Sequence, residues 1–71
     1  MKIDLHGIRH HEVPRKLDTF FWEMIQRKVG QVEVITGIST EMKKIVIETC
    51  KDYGFEVNEM YFNPGSLVIN L

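Results

Sequence analysis

Cysteine is almost absent from this chain. The single one, Cys50, has no internal partner, which excludes a disulfide framework and suits a reducing cytoplasm. Long apolar runs are missing as well, so no segment approaches the roughly 20 apolar residues that cross a bilayer. Excess charge is missing too: nine Lys and Arg stand against ten Asp and Glu, for a formal net charge of −1. That balance argues against a strong global field for non-specific duplex binding. Met1-Lys2 leads directly into alternating apolar and polar residues, so no signal peptide and a cytoplasmic location are expected. Linkers, solenoid-length repeats and low-complexity tracts are also lacking. What is present is 71 residues, 44% of them hydrophobic, which predicts one folded domain over residues 1–71.

Ile3-Asp4-Leu5-His6-Gly7 opens the chain as a short strand broken by glycine. Strand side chains alternate, so Asp4 and His6 share one face while Ile3 and Leu5 take the other. From about His11 to Val29, the residues Val13, Leu17, Phe20, Phe21, Met24 and Ile25 recur at helical spacing. Pro14 is tolerated in the first turn of that helix, and Gly30 supplies the stop. Gln31 to Thr36 is β-branched and predicts a second strand. Ser39 or Thr40 can cap a second helix, striped by Met42, Ile45, Val46, Thr49, Cys50 and Tyr53 and ended by Gly54. Phe55 to Phe62 predicts a strand, Asn63-Pro64-Gly65-Ser66 a hairpin turn, and Leu67 to Leu71 a closing strand. The order β-α-β-α-β-β, with right-handed crossovers, gives an α/β two-layer sandwich. Its four-stranded mixed sheet carries two helices on one face and leaves the other face open.

Parallel strands end on the same edge. His6-Gly7 and Thr36-Gly37 therefore meet on one rim, beside two helix N-termini that favour phosphate. Arg9, His10, His11, Arg15, Lys43 and Lys44 cluster in sequence around those loops, which points to an anionic ligand. Plainer roles stand beside this one. Asp4 can accept hydrogen bonds from a loop, His6 can pack, His10 and His11 can be solvated, and the glycines can serve the backbone alone. Cys50 falls on the apolar stripe as a core thiol. Trp22 falls roughly opposite the stripe of the first helix, either lying on the surface or anchoring a homodimer or larger partner.

Asp4-Leu5-His6-Gly7, an amphipathic helix, a strand ending in Thr36-Gly37 and a second helix together resemble the Smr (small MutS-related) domain over essentially the whole chain. The resemblance implies the sandwich reached above, and an activity on nucleic acid: nicking of DNA or cleavage of RNA, in some members at the ribosome. It assigns Asp4 and His6 as the catalytic acid–imidazole pair, with Gly7 shaping their loop and Thr36-Gly37 in the second motif. That motif typically reads His-Gly-Lys/Arg-Gly. Here Thr36 stands for the His, Ile38 for the cation and Ser39 for the second Gly. Asn63-Pro64-Gly65-Ser66 likewise replaces a more glycine-rich turn.

Two functions follow. In the first, the domain is a small endonuclease in which His6 acts as general acid–base or phosphate orienter. Asp4 fixes the His6 tautomer or holds a metal-bound water, while Gly7, Arg9, Thr36, Gly37, Ser39 and Lys43 position the substrate. No dedicated metal ligand set or cofactor is identified; a divalent metal would need substrate oxygens and water to complete its shell. In the second, the domain is a non-catalytic module that binds DNA, RNA, the ribosome or a protein through the same rim. A fold-mate that takes a small phosphorylated ligand is a third alternative. No membrane partner is expected.

Overall fold

The computed structural model describes all 71 residues. Strands β1 (Lys2–Asp4), β2 (Gln31–Ile35), β3 (Glu56–Met60) and β4 (Asn63–Asn70) alternate with helices α1 (Val13–Gln26) and α2 (Thr40–Tyr53) in the expected β-α-β-α-β-β order. The sheet runs β1-β2-β4-β3. β1 lies parallel to β2, while β4 is antiparallel to both β2 and β3.

One face of this sheet carries Leu5, Val32, Val34, Leu67 and Ile69. These side chains bury against Val13, Leu17, Phe21 and Met24 of α1 and Met42, Val46 and Cys50 of α2 in a single core. Phe21 is its widest member. It meets Tyr53 and Phe55 edge-on, at centroid distances of 5.6 and 5.3 Å, and those two rings stack on each other at 5.1 Å. Burial pushes the Cys50 thiol up to about 11, so the free cysteine is an inert packing group at neutral pH. The opposite face has no helix over it. There Gln31 donates to Asn70, and the Asn58 and Asn70 amides both donate to Glu56, holding the Glu56 carboxyl below its usual range.

The helices start and stop for local reasons. His10–Glu12 forms one 3-10 turn ahead of α1 rather than the first part of a longer helix. Pro14 sits in the first turn of α1 as expected. The stop expected at Gly30 comes earlier: Lys28 takes the left-handed conformation, with φ of 59°. The Val29 N–H then donates to the Met24 carbonyl, and the Lys28 N–H to that of Ile25. Ser39 Oγ accepts the Met42 N–H to cap α2, and Gly54, with φ of 77°, ends it.

Two residues expected on the apolar stripes lie largely outside the core, Ile25 and Tyr53. Tyr53 places its ring on Phe21 but turns its hydroxyl to donate to Asp18 on α1. That bond, with desolvation and the Asp18 charge, pushes the phenol up to about 12. The unfolded chain ionises at its ordinary value of about 10. The contribution is therefore complete below that pH and lost between there and about 12. Tyr53→Phe should flatten the decline in urea-unfolding stability across this window; an unchanged pH profile would show that the bond contributes nothing.

The larger departure is the hairpin. The turn expected at Asn63-Pro64-Gly65-Ser66 lies instead at Tyr61-Phe62, between paired Met60 and Asn63. Pro64, Gly65 and Ser66 form a bulge in β4, since Glu59 pairs with Leu67 but Met60 with Asn63. Proline has no N–H to give a ladder, so a bulge suits it as well as a turn does. Asn63 Oδ1 folds the bulge by accepting the Gly65 N–H at 3.2 Å.

Candidate functional site

The Asp4-to-Ile8 segment is two turns in succession. Asp4 Oδ1 accepts the His6 N–H at 2.9 Å, which ends β1 with a side-chain-closed turn. The Leu5 carbonyl then accepts the Ile8 N–H at 3.0 Å across His6-Gly7, with Gly7 at φ of 84°. A glycine at the third position of such a turn is what a positive φ there requires. His6 is thereby presented at the apex, exposed, while Leu5 between the two polar residues is fully buried.

The second loop is held from inside. The Gly65 carbonyl accepts the N–H groups of Thr36 and Gly37, at 2.8 and 3.0 Å, and also the Thr36 hydroxyl at 3.2 Å. That hydroxyl also reaches the Gly37 carbonyl at 2.8 Å. Thr36 is 2% exposed, so its side chain tethers the loop and is turned away from the surface. Gly37 has φ of 70°, and a β-carbon built there would lie 3.0 Å from His6 Cδ2. The imidazole thus rests directly on the Gly37 backbone, and the two glycine turns form one surface.

The structure brings together Asp4, His6, Gly7, Thr36 and Gly37, with Ser39 capping α2 just beyond. Asp4 and His6 meet through the backbone: no hydrogen bond or ion pair joins the carboxylate to the imidazole. Lys43 is half-buried on the first turns of α2 and lines a hollow with Glu59, Met60, Tyr61, Pro64 and Ser66. Arg9, Arg15 and Lys44 are exposed and make no ion pair, while His11 lies 4.0 Å from Glu12. No three His, Cys, Asp or Glu side chains converge. Trp22 is exposed, next to Ile25 on α1 and well beyond the helix end that meets the rim.

Sequence reasoning passed over Tyr61 and Phe62, which are 92% and 93% exposed at the hairpin tip. The available signal was their adjacency. Neighbours in a strand face opposite ways, and a sheet covered on one face alone cannot bury both. Gly65, which the sequence places in a turn, ties the rim together through its carbonyl.

A family model, the Smr domain, matches residues 3–63. The chain belongs to the Smr family. Smr domains are in general associated with binding and nicking nucleic acid. No curated protein and no solved structure matches the chain. The matched region holds both glycine turns of the Smr rim and reaches through the aromatic tip. No helix of this Smr domain is long and apolar enough to cross a membrane.

Proposed function

We propose that this Smr domain holds the phosphate backbone of a nucleic acid on the rim, with His6 against a phosphate and Arg9, Lys43 and Lys44 around it. The observation that carries this reading is the seating of the exposed His6 ring on Gly37. Two positive-φ glycine turns carry that ring, with no side chain on Gly7 or Gly37 to crowd it. The groove between the helices is the weaker candidate, because Asp18, Glu48 and Asp52 line it and carboxylates repel phosphate. Ile38 supplies no cation on the second loop, and Lys43 takes that electrostatic part from the helix.

The endonuclease reading rests on the same loop. His6 is exposed for proton transfer to a phosphoester oxygen, and Asp4 fixes the backbone that carries it. Asp4 then acts by positioning the His6 loop rather than by choosing the imidazole tautomer. A divalent ion beside Asp4 would draw most of its ligands from substrate and water.

Fluorescence anisotropy with labelled single- and double-stranded DNA and RNA tests both readings. Wild type should bind with a shallow salt dependence, releasing roughly 2–4 ions. Lys43→Ala with Lys44→Ala should weaken every sequence alike and reduce that slope. Absence of binding to all four nucleic acids at low salt would sink the proposal. Cleavage of the same strands, with and without Mg²⁺, decides the catalytic step. Activity that vanishes in His6→Ala supports it, and its absence in wild type leaves a binding module.

A further inference from the structure

The exposed aromatic pair at the β3–β4 tip is unexplained by packing. Tyr61 and Phe62 are 92% and 93% exposed, yet their rings meet edge-to-face at 4.9 Å. Exposing two adjacent rings forgoes the burial that usually stabilises such side chains. The strand behind the tip is tied to the rim. Its bulge hands the Gly65 carbonyl to Thr36 and Gly37, which anchors the hairpin to the loop beneath His6. From the tip, two adjoining hollows share Lys43 and Glu59. One is lined by Tyr61 and Pro64, and the other runs along α2 past Lys44 and Lys51.

We propose that Tyr61 and Phe62 are a stacking platform for unpaired bases, so that the rim takes single-stranded nucleic acid in preference to duplex. The proposal rests on the nucleic-acid reading above and names its substrate class. Aromatic faces beside a lysine track are the combination that holds single strands: bases stack on rings while cations follow the phosphates. Duplex bases are already stacked on one another and offer the rings nothing. Glu48 and Glu59 face the same hollows, so the track is interrupted, and the rings supply affinity that charge alone does not.

Anisotropy titrations of labelled 12-nucleotide poly(dT), poly(U) and a 12-base-pair duplex test this on the full chain. Wild type should favour the single strands. Tyr61→Ala with Phe62→Ala should lose about tenfold or more on both single strands and little on the duplex, with an unchanged circular dichroism spectrum. Tyr61→Trp with Phe62→Trp should keep the affinity, whereas Tyr61→Leu with Phe62→Leu, apolar but without a π-face, should lose it. Single-strand affinity unchanged in the alanine variant, with wild type still binding, overturns the platform and leaves the tip to a protein partner. Equal losses on strand and duplex overturn it as well. No binding by wild type to any nucleic acid overturns the proposed function itself, a result distinct from either of these.

Discussion

Phe21→Ala should lower the thermal midpoint by more than about 12 °C. Phe21 is fully buried, and its ring is the surface on which Phe20, Tyr53 and Phe55 converge. Truncating such a ring costs about 3–5 kcal/mol, through lost transfer energy and the cavity left behind. Domain stabilities of about 0.05–0.15 kcal/mol per residue put the whole of this chain near roughly 4–11 kcal/mol. One side chain therefore accounts for about a quarter of the total or more. Each kcal/mol shifts the midpoint of a domain this size by about 4–8 °C. Urea unfolding followed by circular dichroism should show a lower midpoint at an unchanged slope. A loss under about 1 kcal/mol would mean that Tyr53 and Phe55 collapse into the space. In that case the aromatic cluster is not the rigid centre of the core.

Gly37→Ala should destabilise the domain by about 1–2 kcal/mol from backbone strain alone, since alanine must adopt the left-handed φ of 70°. A second effect falls on the site. The new β-carbon would stand 3.0 Å from His6 Cδ2, closer than side chains normally approach. Because His6 is exposed, its ring can swing away, and the displacement falls on nucleic-acid affinity more than on stability. The two effects separate in a double-mutant cycle with His6→Ala. The strain should persist when His6 is gone. The loss of affinity caused by Gly37→Ala should shrink to near nothing in the His6→Ala background. Additive losses of affinity would show that Gly37 and His6 contact the ligand independently.

The sequence alone determined the order of elements, the placement of both helices on one sheet face, a cap for α2 at Ser39 or Thr40, its end at Gly54, and the core positions Leu17, Phe21, Val46 and Cys50. All of these follow from spacing within a few residues, where helix and strand geometry dictate which side chains share a face. Asp4-Leu5-His6-Gly7 was legible for the same reason. There the sequence predicted the break at Gly7 but carried the strand through His6; β1 ends at Asp4 instead, because the Asp4 carboxylate accepts the His6 N–H and closes a turn.

Tertiary structure decided the rest. Pro64-Gly65 carries the local signature of a hairpin turn, yet it forms a bulge. The Gly65 carbonyl accepts the N–H groups of Thr36 and Gly37, which lie almost thirty residues earlier. That pairing moves the turn to Tyr61-Phe62 and brings both rings into the open. It also takes the Thr36 hydroxyl out of reach of a ligand. Lys28 supplied the left-handed residue assigned in sequence to Gly30, because the chain had to turn early for Val29 to reach the core. Hydrogen bonds between distant loops obey no sequence period, so the surface they built could be seen only once the chain was folded.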